Sequence, residues 1–481
     1  MLQSSGPRRI PVRDPRTGRV EFDLEVADPA AIRVEAARLR QGQRDWALLD
    51  VDARIAVLMR WASLLDGPFR QPLIDADSRD TGGGQISRIA PDMVLGFIRG
   101  NAGAAKAQLA AAHREGVSRA DPQIVYRTIL KPYPLVGVIS PWNAPTMLSM
   151  LRVIPPLIAG CAVMVKPSEV TPRFAAPLRA SLAQVPELAA VFGFVFGDGE
   201  TGQAVIDNAD YISFTGSVPN GRRVAESCAR RLIPCDLELG GKDPLVILEG
   251  ADLDHAVSAA LRGAVTSSGQ VCFSIERIYV ADAIHDAFVE KLVERASRVR
   301  INHPDPAEGP LSPFIGPHQS AIVDGHLDDA ISKGARLVAG GKSFELDGGR
   351  YMKPTILVDV THDMQVMRDE TFGPVMPVMR FHSIDEAVRL ANDTEFGLSA
   401  AVMAATEAEA IAVAERIDAG NVSVQDAFLT FHAAEAQSDR FGVSGVGSAR
   451  PGITRYLRRQ ALLVNRGTPT CLVNSALRAA G

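Results

Sequence analysis

The chain has 481 residues, and at roughly 150 residues per domain this length predicts about three structural units. Hydrophobic residues make up 46% of the chain and charged residues 22%, which are ordinary globular values and exclude wholesale disorder. The formal net charge of -5 comes without a basic block, so we expect no nucleic-acid partner.

Three features bear on the compartment. The first residues, 1–14, contain no apolar run, so no secretory signal is expected. The longest apolar stretch, residues 134–165, is interrupted by four prolines, and we expect neither a membrane helix nor a membrane partner. The 5 cysteines are odd in number and sparse, which predicts a reducing, cytoplasmic location without a disulfide framework.

The predicted elements begin with a mostly helical region before about residue 110, in which Arg54–Leu65 is the clearest amphipathic piece. From residue 134 onward, short β-branched runs alternate with helical stretches, and this alternation is typical of βαβ units and a parallel sheet. The first group of predicted strands comprises Val136–Ser140, Ala162–Val165, Phe192–Phe196 and Tyr211–Phe214.

The alternation resumes after Gly241, so we predict two α/β domains in succession, the first ending near Leu239–Gly241. The second begins with a strand at Pro244–Leu248, a helix from Asp252, a strand at Arg277–Val280 and a helix over 282–299. Ser383 and Thr406 each stand three residues before a glutamate, which predicts capping boxes at the start of two further helices.

Three residues could take part in chemistry: a thiol, a carboxylate and an amide. Cys272 directly precedes a predicted strand and could be a nucleophile, although most cysteines in such places are structural. Glu238 ends an apolar strand, where an acid is rare unless it is paired or functional. Asn143 lies between two prolines, where a turn asparagine is the ordinary interpretation.

Other motifs could bind a ligand. Lys166 and Glu169 follow a strand immediately, and ligand sites in open α/β sheets lie beyond the carboxyl ends of strands. The tetrapeptide Phe214–Ser217 precedes a helix, whose first N–H groups can bind an anion such as a pyrophosphate. The turn Glu370–Pro374 carries an acid and an aromatic residue.

Taken together, these motifs occur in the order of the motifs of the aldehyde dehydrogenase superfamily, which the chain resembles from about residue 10 to 465. Cys272 and Glu238 are 34 positions apart, as expected for the nucleophile and general base of that family. The resemblance implies an α/β fold with two parallel-sheet, Rossmann-like domains and a small β-strand oligomerisation flap.

The resemblance also implies the domain boundaries and the assembly. We expect an NAD-binding domain from 1–110 and 133–239, a catalytic domain at 240–444, and oligomerisation strands and a tail at 111–132 and 445–481. The family's subunit-joining strands match Gln123–Leu130 and Tyr456–Val464, so we expect a homodimer or homotetramer.

Roles are implied residue by residue. Cys272 matches the nucleophile, Glu238 the general base and Asn143 the oxyanion donor. The implied cofactor-binding residues include the adenosine-ribose pair and the nicotinamide-ribose acid, and they are Ser140, Trp142, Lys166, Glu169, Gly199, Phe214, Gly216, Ser217, Leu239, Glu370 and Phe372. Glu238 favours water as acyl acceptor, because CoA-acylating members usually lack it. Glu169 favours a free ribose 2′-hydroxyl, so we predict NAD as cofactor, with NADP possible.

At several positions the chain differs from the usual residue of the family, and these differences bear on the choice of substrate. A bulky aromatic is usual where Ala144 stands, a lysine where Arg152 stands and an asparagine where Gln425 stands, and the late motif near Phe441 is shortened. The candidate pocket is apolar, and it consists of Ala144, Met147, Leu148, Leu151, Val271 and Phe273, with Phe428 or Phe431 as further candidates.

We therefore predict the oxidation of a hydrophobic or aromatic aldehyde to its carboxylic acid. Three alternatives remain open: a semialdehyde dehydrogenase with Arg152 or another arginine binding a distal carboxylate, a cofactor-binding protein without turnover, and a thiol hydrolase. No histidine has a recognisable partner motif for the last, and no Cys/His pair has zinc-ligand spacing, so no metal is expected.

Overall fold

The computed structural model describes residues 8–430, 432–433, 436–447 and 452–467. A hairpin and four helices come first, in agreement with the helical region predicted before residue 110. Their bounds are β1 (Arg9–Arg13), β2 (Val20–Glu25), α1 (Pro29–Leu48), α2 (Val51–Asp66), α3 (Arg70–Thr81) and α4 (Gln85–Ala112). Asp28 and Asp50 cap α1 and α2, since their carboxylates accept the N–H groups of Ala31 and Ala53.

The first set of alternating elements follows. It comprises β3 (Glu115–Val117), β4 (Ile124–Pro132), β5 (Leu135–Ile139), α5 (Pro145–Ala159), β6 (Ala162–Lys166), α6 (Ala175–Leu182), α7 (Pro186–Ala189), β7 (Phe192–Phe194), α8 (Gly199–Asn208), β8 (Tyr211–Thr215), α9 (Val218–Arg231) and β9 (Cys235–Glu238). Every residue of β5, β6 and α5 is buried, as expected for parallel strands covered on both faces.

The second set occupies the rest of the chain. It comprises β10 (Asp243–Ile247), α10 (Leu253–Val265), β11 (Ile275–Ala281), α11 (Asp282–Ser297), α12 (Gln319–Ser332), β12 (Arg336–Ala339), β13 (Phe344–Leu346), β14 (Gly349–Tyr351), β15 (Thr355–Val358), α13 (Gln365–Arg368), β16 (Val375–Phe381), α14 (Ile384–Asn392), β17 (Phe396–Gly397), β18 (Ser399–Met403), α15 (Glu407–Ala414), β19 (Asn421–Val424), β20 (Phe441–Gly442), β21 (Gly445–Val446) and β22 (Leu457–Asn465).

Two large sheets organise these elements, and the predicted α/β class is confirmed. The six-stranded sheet has the order β21-β9-β8-β5-β6-β7, and the seven-stranded sheet has the order β12-β15-β16-β11-β10-β18-β19. All neighbours pair in parallel except β21 with β9 and β12 with β15. In the six-stranded sheet the chain runs outward from β5 through β6 to β7 and then returns to β8 on the other side of β5, which creates a topological switch point between β5 and β8.

The two predicted capping boxes differ in completeness. Thr406 and Glu409 form both reciprocal hydrogen bonds at the start of α15. At α14, Ser383 accepts the N–H of Glu386, but the Glu386 carboxylate accepts the N–H of His382 instead of that of Ser383. The sequence pattern therefore identifies both helix starts, while the second bond depends on the local backbone.

The strands predicted to join subunits pair with each other inside the chain. β22 and β4 are antiparallel, with Leu457 opposite Pro132 and Asn465 opposite Ile124, and β3 adds a third strand. Across the residues that the structure describes, no helix combines the length and apolar character that a membrane crossing requires.

Candidate active site

All of the predicted cofactor-site residues line one cavity of about 890 Å³. The cavity lies at the carboxyl ends of the six-stranded sheet, since Ser140 follows β5, Lys166 ends β6 and Gly216 follows β8. This is the edge of the sheet that contains the switch point between β5 and β8, where α/β sheets bind their ligands.

The N-terminus of α9 faces this cavity. Ser217 is its N-cap residue and Gly216 precedes it, and both line the cavity. The first N–H groups of a helix lack acceptors within the helix and favour a bound anion, so this end suits a pyrophosphate. The N–H of Gly216 donates to the carbonyl of Glu238 at 3.0 Å, which ties the turn to the end of β9.

Lys166 and Glu169 form an ion pair in the wall of the cavity. Nζ of Lys166 lies 2.9 Å from Oε2 of Glu169, and the lysine is buried while the glutamate side chain is 35% exposed. The exposed side of that carboxylate remains open to ribose hydroxyls. The helix end, this carboxylate and the size of the cavity together fit a dinucleotide such as NAD.

Glu370 and Phe372, in the loop Glu370–Phe372, line the same cavity. The carboxylate of Glu276 accepts the N–H groups of Thr371 at 2.7 Å and Phe372 at 2.8 Å, and it binds Nζ of Lys242 at 2.6 Å. Phe372 has a φ of 54°, a left-handed conformation that a bulky residue adopts only where its surroundings enforce it. The Glu276 carboxylate therefore fixes the loop.

Burial raises the pKa of Glu370 to about 8, and the nearby charge of Glu276 adds to this shift. Oε1 of Glu370 accepts the N–H of Gly241 at 3.3 Å. A Cβ on Gly240 would lie 2.5 Å from this carboxylate, and one on Gly241 would lie 2.6 Å from the carbonyl oxygen of Cys272. The Gly-Gly pair therefore allows the loop and the cysteine segment to approach β9 closely.

Cys272 lies between a short 3₁₀ turn, Thr266–Gly269, and β11. Ser267 and Ser268 in this turn have φ values of 51° and 57°, so the cysteine segment begins from a sharply turned backbone. Burial raises the pKa of the partly buried Cys272 thiol to about 12, and the positive charge of Arg440 opposes this shift. A thiolate at this position depends on stabilisation at the moment of attack.

Asn143 is buried beside the cysteine segment. Its Nδ2 donates one hydrogen bond to the carbonyl of Gln270 at 3.0 Å. An amide nitrogen carries two donors, so the second N–H remains for an oxyanion. Gln270 is itself fixed, because its Oε1 accepts the N–H of Ile315 at 2.9 Å.

Glu238, at the end of β9, is held by two arginines. Oε1 lies 2.8 Å from Nη2 of Arg152, and Oε2 lies 2.6 Å from Nη2 of Arg440. Nη1 of Arg152 also lies 3.3 Å from Oδ2 of Asp236, which is on the same face of the strand two residues earlier. Burial opposes the charge of Arg152, but Glu238 and Asp236 raise its pKa overall.

Of the six predicted substrate-pocket residues, Leu148 lines the cavity. The other five are buried, and Val271 and Phe273 belong to a small apolar cluster against Cys272 that also includes Ile86, Leu398 and Phe428. The rings of Phe273 and Phe428 are 4.4 Å apart. Phe431, the other phenylalanine considered, lies outside the described residues.

The sequence reasoning did not identify several residues of the site. Arg440 stands inside the shortened late motif, and a charged residue directly before Phe441 was the available signal. Asp236 and Glu238 on one face of an apolar strand could have predicted a buried cationic partner such as Arg152. No such pattern identifies Gln270, Ile86 or Leu398, since their roles depend on distant segments.

Within the described ranges, no group of three His, Cys, Asp or Glu side chains could hold a metal ion. The fold and the cavity define a dinucleotide-binding α/β protein with a cysteine, a carboxylate and an amide in one site.

Comparison with known proteins identifies the family. The model of the aldehyde dehydrogenase family matches residues 1–461, and the chain belongs to this family. A protein of Mycolicibacterium smegmatis, provisionally named succinate-semialdehyde dehydrogenase (NADP+), is 37% identical over 464 residues, which cover 95% of this chain and 89% of the relative. The chain is thus an NAD(P)-dependent aldehyde dehydrogenase.

Solved structures agree with this assignment. PutA of Anabaena variabilis, provisionally named an aldehyde dehydrogenase, has a TM-score of 0.93 and 45% identity, with 97% of this chain and 99% of that chain covered. Betaine aldehyde dehydrogenase of Staphylococcus aureus, solved in complex with NAD+, has a TM-score of 0.89 and 26% identity over 97% of this chain and 93% of that chain.

Proposed function

We propose that this chain oxidises a hydrophobic or aromatic aldehyde to its carboxylic acid through a thioester on Cys272, with NAD as the preferred cofactor. The observation that carries the proposal is that Cys272, Glu238 and Asn143 line the same cavity as all the residues expected to bind the cofactor. Bound NAD supplies the acceptor for the hydride that leaves the substrate carbon.

Cys272 performs the first step. Its thiolate attacks the aldehyde carbon and forms a tetrahedral thiohemiacetal, whose oxygen carries the negative charge. The free N–H of the Asn143 amide and the backbone N–H of Cys272 are the donors that stabilise this oxyanion. Loss of hydride from the tetrahedral carbon then leaves a thioester on the sulfur.

Glu238 acts in the second step. Its carboxylate takes a proton from water, the water oxygen bonds to the acyl carbon, and the C–S bond breaks to release the carboxylic acid. The ion pairs with Arg152 and Arg440 compensate the charge of this carboxylate in a buried site and hold it at the end of β9.

The apolar cluster against Cys272 supports the substrate class. Phe273 and Phe428 pack as aromatic rings against Cys272, and the small residue Ala144 stands where the family usually has a bulky side chain. A hydrophobic or aromatic aldehyde gains from burial against such a surface, by roughly 25 cal/mol per Å² of apolar area.

The test is NADH formation with NAD and a panel of aromatic, aliphatic and carboxylate-bearing aldehydes. We expect the highest kcat/KM with aromatic or long aliphatic members and a loss of at least about 1,000-fold in the Cys272→Ala variant. Ala144→Phe should reduce kcat/KM for bulky members more than for small ones. Equal activity of wild type and Cys272→Ala would refute the mechanism, and equal losses in Ala144→Phe would refute the open pocket.

A second candidate is a carboxylate-bearing aldehyde, favoured by the name of the M. smegmatis relative. Arg152, which we considered for binding a distal carboxylate, is buried against Glu238 and Asp236, so a different arginine would have to serve. Higher kcat/KM for a semialdehyde than for every aromatic member of the panel would establish this alternative.

We also infer a cytoplasmic homodimer or homotetramer. The free thiols of Cys161, Cys228, Cys235 and Cys272 fit a reducing compartment. Leu463 and Val464 on β22 are 70% and 50% exposed, and such apolar side chains on an outer strand suit burial against another subunit. Light scattering at micromolar concentration tests the assembly, and a purely monomeric solution would contradict it.

A further inference from the structure

A left-handed turn directly precedes the cysteine segment of the site. Ser267, Ser268 and Gly269 have φ values of 51°, 57° and 73°. This conformation is unfavourable for an L-residue such as serine, so the turn persists only where the surrounding structure holds it. One such contact is the hydrogen bond from Oγ of Ser268 to the carbonyl of Ser312 at 2.7 Å. The residue after the turn is Gln270, which is 0% exposed.

The side chain of Gln270 connects this turn to the segment 312–315. Its Nε2 donates to the carbonyl of Ser267 and to that of Pro313, both at 3.2 Å. Its Oε1 accepts the N–H of Ile315 at 2.9 Å. Both amide donors and the amide acceptor are therefore bound to backbone groups, as a fully buried amide requires.

The backbone of Gln270 extends this arrangement to Asn143. The N–H of Gln270 donates to the carbonyl of Ser267 at 3.1 Å, and its own carbonyl accepts Nδ2 of Asn143 at 3.0 Å. Because an amide group is planar, a bond to one N–H of Asn143 also restricts the direction of the other. Asn143 and Cys272 line the same cavity, so this direction decides how well the second N–H stabilises an oxyanion formed by attack of the thiolate.

We propose that Gln270 is a positioning residue for the first chemical step: its side chain holds the carbonyl that orients the Asn143 amide toward the oxyanion. This inference rests on the proposed function. In that step the Cys272 thiolate forms a bond to the aldehyde carbon, and the π electron pair of the carbonyl moves to the oxygen. The Asn143 N–H stabilises the resulting charge. Gln270 acts through Asn143, because its own amide is bound to backbone groups.

Acylation of Cys272 can be measured without cofactor. An activated ester such as p-nitrophenyl acetate passes through a tetrahedral oxyanion before nitrophenolate leaves. With the protein in excess over the ester, single-turnover release of nitrophenolate therefore reports acylation alone. Gln270→Met keeps the length of the side chain and removes its three hydrogen bonds. We expect the acylation rate to fall at least about 10-fold, because a small misplacement of a catalytic group is costly.

Alkylation of the same thiol separates positioning from a general disturbance of the fold. Iodoacetamide reacts with Cys272 by displacement of iodide, and this reaction forms no oxyanion. The alkylation rate of Gln270→Met should therefore stay within about threefold of wild type. The Kd for NAD, measured by isothermal titration calorimetry, should stay within about the same factor. Equal falls of the acylation and alkylation rates, or an unchanged acylation rate, would overturn the proposal.

A double-variant cycle tests the path through Asn143. Asn143→Ala removes the oxyanion donor, so adding Gln270→Met should lower the acylation rate less than about twofold further. A further loss as large as the one in the wild-type background would show that Gln270 acts by another route, and the proposal would fail.

Two further variants complete the comparison. Gln270→Glu keeps the acceptor for Ile315 and lacks the two amide donors, so it should show the same selective loss of acylation if Gln270→Met does not fold. Gln71→Met is the matched control, because Nε2 of this surface glutamine donates to the Asp75 carboxylate at 2.7 Å. It should leave the acylation and alkylation rates unchanged.

The same assays distinguish this proposal from the proposed function. If wild type releases nitrophenolate through Cys272 but forms no NADH with any aldehyde, the proposed oxidation fails. If wild type oxidises aldehydes and Gln270→Met is acylated at the wild-type rate, the oxidation stands and the role of Gln270 fails.

Discussion

Arg152 contacts both acidic side chains of β9, with its guanidinium 2.8 Å from Oε1 of Glu238 and 3.3 Å from Oδ2 of Asp236. Its side chain is 2% exposed, and those of the two acids are 11% and 1% exposed. A buried arginine between two carboxylates links the proposed general base to the interior of α5, so stability and catalysis depend on the same ion pairs.

Removing Arg152 should destabilise the protein strongly. Arg152→Ala leaves two buried acids without their shared cation, and breaking a buried pair in this way costs about 3–5 kcal/mol. Urea unfolding followed by circular dichroism measures the loss in free energy of unfolding. The surface variant Arg60→Ala, which removes an ion pair with Glu187, should lose at most about 1 kcal/mol. Similar losses of unfolding free energy in Arg152→Ala and Arg60→Ala would mean that the buried ion pairs of Arg152 contribute little to stability.

The reactivity of Cys272 should increase steeply with pH. Because burial raises the pKa of its thiol to about 12, the thiolate fraction in cofactor-free protein grows about tenfold per pH unit below that value. We expect the rate of iodoacetamide modification at Cys272, followed by peptide mass spectrometry, to climb from pH 7 to pH 10. The Arg440→Ala variant should react more slowly, since it lacks a cation that favours the thiolate. A plateau reached by pH 8 would contradict the prediction.

Glu370→Gln should stabilise cofactor-free protein at alkaline pH. The pKa of Glu370 is about 8 in the folded state against an ordinary value of 4.5, so the folded protein retains a proton that the unfolded chain loses. Its stability therefore falls as pH rises from about 4.5 to about 8, and the glutamine variant avoids this loss.

Thermal unfolding at pH 5 and pH 8 measures this effect. We expect the gain in free energy of unfolding for Glu370→Gln to be small at pH 5 and at least about 1 kcal/mol at pH 8. Glu415→Gln, at an exposed position on the surface, serves as the matched control. A gain that is the same at both pH values would show that the carboxyl of Glu370 does not titrate in this window.

Glu169→Gln should shift the cofactor preference. The carboxylate repels a 2′-phosphate and accepts ribose hydroxyls, and the amide keeps the shape of the side chain without its charge. We expect the ratio of kcat/KM for NADP to that for NAD to rise about tenfold, which corresponds to about 1.4 kcal/mol. Glu200→Gln, whose side chain is 83% exposed, is the control. If the ratio of kcat/KM for NADP to that for NAD does not change, the charge of Glu169 does not determine which cofactor the protein prefers.

The sequence was sufficient to predict the strands around the site. The runs at 136–140, 162–165 and 211–214 lie within or beside β5, β6 and β8, because continuous apolar runs of this length suit parallel strands buried on both faces. Predicted strand ends differ from the observed ones by one or two residues, since hydrophobicity does not fix where pairing stops.

Most of the residues expected to bind the cofactor follow a strand in a recognisable motif, so their position at one edge of the sheet could be predicted, whereas Glu370 and Phe372 lie between α13 and β16. The arginines around Glu238 could not be predicted, since α5 and the segment before β20 are distant from β9 in the chain. The apolar cluster of Ile86, Leu398 and Phe428 with Phe273 likewise combines four separate segments. Contacts between distant segments depend on the tertiary arrangement, and they produce no periodic pattern in the local sequence from which they could be predicted.

The most direct test of the account is the mass of the Glu238→Gln protein after reaction with an aldehyde and NAD. Without the base, the thioester should accumulate, and intact-protein mass spectrometry should show one acyl group, with peptide mapping placing it on Cys272. The Cys272→Ala/Glu238→Gln double variant should carry no adduct. NADH formation without an acyl group on Cys272, or an adduct on another residue, would contradict the proposed mechanism.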